Sequence, residues 1–230
     1  MVADPNATES ATEYPPELSR LPPGRHGLPR EFVVHNQRER LIAGLAEAVA
    51  ENGYAGTTIA HITRHAAVSR RTFYEHFDSK DACFVAAYDV VMEQLRERVD
   101  AAYQEPDEWP QALRGGLAAM LSFLAAEPNL ARLCMVEALV AGPVVVERYD
   151  AAVHSLVPYL EAGREGRSPE VLARLSPSTE EALVGGLVSL ISRRIIAGRS
   201  GELEQLLPDL VEFTLTPYLG SSEAAKIAAA

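Results

Sequence analysis

From about residue 31 to about residue 220 the apolar residues recur three and four positions apart, and no run alternates apolar and polar with period two. A helix that buries one side needs that spacing, whereas a half-buried strand needs strict alternation. The chain is therefore expected to be all-α, built by packing helices on helices. Leu41, Leu45 and Val49 mark a first helix that stops at "ENGY", where Gly53 suits a C-terminal cap. Ile59, Ile62 and Ala66 mark a second, with Thr57 as its N-cap. After "AAV", Ser69 is placed to cap a third helix running through Phe77. Asp78 with Asp81 three residues on resembles a capping box for a long fourth helix to about Tyr103.

Further helices are expected over 109–126, 129–140, 144–164, 178–197 and 203–219, interrupted at Pro128, Gly142–Pro143, 163–177 and Gly198–Gly201. Residues 1–30, rich in Pro, Ser, Thr and Glu, read as a flexible arm. The expected organisation is that arm, a head over 31–80, a helical C-terminal domain over 81–220 and an Ala-rich tail over 221–230. The N-terminus lacks the apolar stretch of a signal peptide. Glu137 and Pro143 interrupt the best membrane candidate, at 133–146. Two cysteines, Cys83 and Cys134, far apart in the chain, fit buried thiols in a reducing compartment better than a disulfide scaffold. The expectation is a soluble, cytoplasmic protein with no membrane partner.

Charge becomes informative once divided by region. The chain carries −11 overall, yet the stretch from Arg20 to Lys80 holds nine bases against six acids and five of the six histidines. A small basic region on an acidic body suits an anion-binding module whose body repels polyanions. Inside that region, two helices of about eight residues joined by a short turn have the layout of a helix-turn-helix, whose second helix enters a DNA major groove. On the third helix Phe73 and Phe77 share one side, while Arg71, Thr72 and Glu75 lie opposite. Arg71 is suited to bidentate donation to guanine, and Thr72 offers a hydroxyl or methyl to a base edge. Tyr74, His76 and Lys80 are suited to phosphates, as is the start of the second helix at Thr57 and Thr58, while Arg70 sits in the first turn near Ser69, both further DNA-binding candidates. A carboxylate at Glu75 is awkward unless it accepts from cytosine. Taken singly each residue also fits a solvated face, and a helix-turn-helix can serve as a protein–protein surface. Arg20, Arg25 and Arg30 could enter a minor groove, although disorder fits the arm better.

The segment "GYAGTTIAHITRHAAVSRRTFYEHFDSKDACFVAAYD" (53–89) resembles the DNA-binding module of tetracycline-repressor (TetR) family bacterial regulators. Gly53, Tyr54, Thr57, Thr58, Ile59, Ala60, Ala66, Val68, Ser69, Thr72, Phe73, Tyr74, His76, Phe77, Ser79 and Lys80 meet the pattern in order, and Ala67 replaces the usual turn glycine. The resemblance implies a homodimeric, ligand-responsive regulator, a repressor, that binds a palindromic double-stranded operator. It also implies a three-helix head, a linking fourth helix, and a C-terminal domain that binds a small-molecule effector and dimerises.

In that domain, Leu183, Leu187 and Leu190 share one side of the 178–197 helix, with Gly185, Gly186, Ser189 and Ser192 as small neighbours. Paired with Leu206, Leu210 and Phe213, these residues, Gly186 among them, would form a self-packing dimer surface, or else ordinary core. Trp109, Met120, Phe123, Leu124, Met135, Leu139 and Tyr149, with His154 or Glu137 as a polar anchor, are candidates for an apolar ligand pocket, each of which singly also reads as core. His61 and His65 share a helix face but lack the glutamate of a zinc-protease motif. No metal, cofactor or catalytic residue is assigned, and no nucleotide-binding or hydrolase motif supports an enzyme.

Overall fold

The computed structural model describes residues 30–230, with side chains from residue 32 onward. The arm expected over 1–30 lies outside them, apart from Arg30, which opens the first helix. The described residues are helical, with no strand among them. Three helices make the head: α1 (Arg30–Gly56), α2 (Ile59–Ala66) and α3 (Arg70–His76). The body follows with α4 (Lys80–Gln104), α5 (Trp109–Ala126), α6 (Pro128–Met135), α7 (Pro143–His154), α8 (Val157–Glu161) and α9 (Pro169–Leu172). It closes with α10 (Thr179–Ile196), α11 (Leu207–Leu219) and α12 (Ser221–Ala228).

The long apolar stripes went where their periodicity directs. Leu41, Leu45 and Val49 of α1 are fully buried, and so is Ile62 of α2. Gly44 lets these helices touch: a β-carbon there would lie 2.7 Å from the Ala66 amide nitrogen. Gly53 breaks α1 with φ 66° and ψ 165°, a conformation in which glycine carries no β-carbon penalty. The α5 helix is apolar because it is the buried centre of the body, with Leu117, Leu121 and Leu124 inside. No single helix among the described residues is long and apolar enough to cross a membrane.

Several boundaries differ from expectation for local reasons. The α2 cap is Thr58, whose side chain accepts from the His61 amide, rather than Thr57. The α4 cap is Ser79, which accepts from the Ala82 amide, rather than Asp78. The expected 129–140 helix ends at Met135 and resumes as a 3-10 turn, Glu137–Val140. The expected 144–164 helix divides into α7, α8 and a 3-10 turn, and 203–219 begins as the 3-10 segment Ser200–Leu206. The stretch proposed as a tail is α12, which buries Ala224 and Ala228 against α11 and α5. One continuous apolar core runs from the head into the body.

Candidate nucleic-acid interface and ligand cavity

The turn between α2 and α3 starts from Ala67, which stands in the left-handed region at φ 50° and ψ 45°. It is the only non-glycine with positive φ among the described residues. Arg40 of α1 holds the strained turn by donating to the Ala66 carbonyl at 2.6 Å and the Ala67 carbonyl at 2.9 Å. Ser69 then caps α3, accepting from the Thr72 amide at 3.0 Å. Phe73 is fully buried and Phe77 is nearly so, with the Arg38 guanidinium 4.9 Å from the Phe77 ring centre. Anchoring one side by two rings forces the other side outward. The Arg71 side chain is 90% exposed and pairs with Glu75 at 3.0 Å, an exposed pair of small energetic consequence. Arg70, Tyr74 and Ser69 are exposed, while Thr72 is half-buried and shares a 3.0 Å hydrogen bond with the Ser69 hydroxyl.

Three of the expected contact residues are occupied within the head. Thr57 is buried, and its hydroxyl donates to the Gly53 carbonyl at 2.8 Å and the Ala48 carbonyl at 3.1 Å. Lys80 donates to the Tyr54 carbonyl at 2.8 Å and the Thr57 carbonyl at 3.1 Å, its ammonium 4.0 Å from the Tyr54 ring centre. The Tyr54 carbonyl also accepts from the Thr57 amide at 3.2 Å, so Lys80 adds a second donor there and bridges it to the Thr57 carbonyl. His76 meets the Gln37 side-chain oxygen at 3.2 Å; burial, then the Arg38 charge, hold its pKa below the ordinary 6.5. Thr58, Ser69, Arg70, Arg71, Thr72 and Tyr74 remain on the accessible side or edge of the head. His65 points its two ring nitrogens at Glu47 (2.9 Å) and Glu51 (3.2 Å). No group of three or more His, Cys, Asp or Glu among the described residues is arranged to hold a metal.

In the body, α4, α5, α7 and α10 enclose a cavity of about 480 Å³. Its wall includes Met92, Val99, Met120, Leu124, Met135 and Leu187. Of the pocket candidates, Met120, Leu124 and Met135 line this cavity and the others do not. Trp109 packs against Gly163 and Tyr218 and donates to the Tyr159 carbonyl at 2.8 Å. Phe123 is buried elsewhere, under the Arg98 guanidinium at 4.9 Å. Tyr149 packs partly buried on the core, and His154 and Leu139 are exposed. Tyr88 of α4 lines the cavity and was missed, because on a buried stripe a tyrosine reads as core. Both cysteines are buried; burial pushes the Cys83 thiol up to about 12 and raises Cys134 as well, the reverse of a reactive thiol.

Glu137 is a strut rather than a ligand anchor. It is 6% exposed, accepts from the Tyr54 amide at 2.9 Å and pairs with Arg132 at 3.1 Å. That amide follows the Gly53 kink, and Glu137 lies two residues beyond the cavity residue Met135. A direct buried link therefore runs from the cavity wall to the head.

Residues 41–87 match the family described as bacterial regulatory proteins, tetR family. The match covers the head from α1 through the first turns of α4. Among curated proteins, the chain is 29% identical over 105 residues to the nucleoid occlusion factor SlmA of Vibrio cholerae serotype O1, covering 45% of this chain and 54% of that one. It is 26% identical over 134 residues to SlmA of Serratia proteamaculans, covering 58% and 66%. The chain thus spans between half and two-thirds of the length of these relatives. Among solved structures it resembles the fatty acid degradation regulator FadR of Bacillus halodurans, with TM-score 0.68 and 16% identity over 80% of this chain and 95% of that one. It also resembles FadR of Bacillus subtilis in complex with stearoyl-CoA, with TM-score 0.62 and 20% identity over 79% and 98%. The shared fold is that of tetR-family transcriptional regulators: a helix-turn-helix head on a helical body.

Most of the residues expected at a dimer surface are internal. Leu183, Leu187, Leu206 and Leu210 are buried within the single chain, Leu187 in the cavity wall. Gly186 receives the Phe213 ring: a β-carbon there would lie 2.9 Å from its tip. Leu190 (41%), Phe213 (43%) and Ile196 (61%) stay exposed on α10 and α11. A helix with two packed sides buries more leucines than a single interface stripe suggests.

Proposed function

We propose that this chain is a ligand-responsive transcriptional regulator, a repressor, that binds a palindromic operator as a homodimer in the cytoplasm. The observation that carries the reading is the division of α3, with Phe73 sealed inside and Arg71 projecting into solvent. Arg71 and Thr72 would read base edges, with Glu75 releasing Arg71 to a guanine. Arg70, Tyr74, Ser69 and Thr58 would hold phosphates. The exposed Leu190, Phe213 and Ile196 supply an apolar face for the two-fold partner, which sets the spacing of the heads. No catalytic role is assigned.

The effector would fill the body cavity. The stearoyl-CoA complex of the Bacillus subtilis FadR supports an apolar effector for a body of this layout. Occupying the cavity would displace Met135, and with it Glu137 and the Tyr54 amide, so that ligand and operator favour different head positions. The test is a mobility-shift titration against DNA from upstream of the chain's own gene at several salt concentrations. Roughly 6–10 phosphate contacts would make log K fall steeply with log salt. Arg71→Ala should weaken binding by about 1–3 kcal/mol. A flat salt response together with an unchanged Arg71→Ala would refute DNA binding and favour a protein–protein role for the head.

A further inference from the structure

Tyr88 lines the body cavity and is 2% exposed. Among the described residues its hydroxyl meets no hydrogen-bonding partner, and its oxygen is not sealed off from open volume. Other polar groups around the cavity are satisfied. The Tyr159 hydroxyl donates to Asp100, and Ser155 donates to the Ala152 carbonyl at 2.7 Å. At the rim Arg148 is held by Asp89 at 2.9 Å and Arg96 by Glu93 at 2.6 Å, so each guanidinium already has a carboxylate. A hydroxyl that opens into free volume without a protein partner is available to donate to whatever occupies that volume.

We propose that Tyr88 is the specificity-determining donor of this cavity, and that the ligand is an elongated apolar molecule carrying one uncharged hydrogen-bond acceptor, such as a ketone, ester or thioester carbonyl. The proposal rests on the reading of the cavity as the effector site. Burial, its largest cause, raises the Tyr88 pKa, so the hydroxyl keeps its proton and donates at neutral pH. Each rim arginine is already neutralised by Asp89 or Glu93, so neither stands as a lone cation for an anionic ligand, whereas the Tyr88 hydroxyl has no competing partner.

The experiment uses the full chain and the neutral fluorophore N-phenyl-1-naphthylamine, displaced by 2-decanone, decane or decanoate. Wild type should bind 2-decanone about threefold to tenfold more tightly than decane, the worth of one neutral hydrogen bond. Tyr88→Phe, which keeps the ring, should bring that ratio to near one while decane affinity and the thermal midpoint hold. A ketone preference that survives in Tyr88→Phe would overturn the proposal and leave the cavity reading intact. Decanoate binding tighter than 2-decanone, with the advantage lost in Arg148→Gln, would overturn the uncharged class. If neither the fluorophore nor any of the three ligands binds, the cavity reading itself fails and takes the proposal with it.

Discussion

Ala67→Gly should stabilise this protein, against the usual sign for introducing glycine. Ala67 sits at φ 50° and ψ 45°, where the β-carbon of an L-residue crowds the backbone at a cost of about 1–2 kcal/mol. Glycine removes that cost but widens the unfolded ensemble, returning about 0.4–1 kcal/mol. Ala67 is exposed, so no packing is lost, and Arg40 binds backbone carbonyls that the substitution leaves in place. The net gain is about 0.5–1 kcal/mol, or a rise in Tm of about 1–4 °C for a chain of this size. Urea denaturation should show a higher midpoint at unchanged slope. Ala67→Val, β-branched in the same region, should move the midpoint the other way. If Ala67→Gly lowers the midpoint while Ala67→Val leaves it unchanged, the turn is not strained as described.

Glu137→Ala should cost about 1–3 kcal/mol by stranding the Tyr54 amide and Arg132, and should weaken the response of operator affinity to cavity ligands; an intact response in titrations with and without ligand would exclude the strut as the coupling route. Leu190→Glu, at an exposed position of α10, should leave the chain folded by circular dichroism and shift sedimentation toward monomer, whereas a persistent dimer would place the interface elsewhere. His76 has a pKa below 6.5, so the unfolded chain binds the proton more readily than the folded one. Stability should therefore fall as pH drops below about 6.5, and His76→Gln should flatten that fall in melts between pH 5 and 7.5.

Reading the chain by residue spacing located the helices because each stripe depends only on neighbours three and four apart. The head was legible in most detail: Ser69 caps α3, and Phe73 and Phe77 turn inward with Arg71 opposite. Capping was legible only to within a residue. Thr57 and Thr58 have equivalent chemistry, and the captured Thr57 hydroxyl, held by Ala48 and Gly53, leaves the cap to Thr58. The pocket candidates were less legible, since Met135 and Phe123 look alike on a helical wheel and only helix crossings decide which faces open space.

The amino-acid order by itself determined an all-helical chain and a short helix with aromatic and basic sides, because both follow from local periodicity. Tertiary structure alone decided that Lys80 donates to the Tyr54 and Thr57 carbonyls, that Glu137 braces Tyr54 across 83 positions, and that Leu187 walls a cavity. Those roles depend on which groups remote segments leave unpaired when they meet, and residue spacing along one helix carries no record of that.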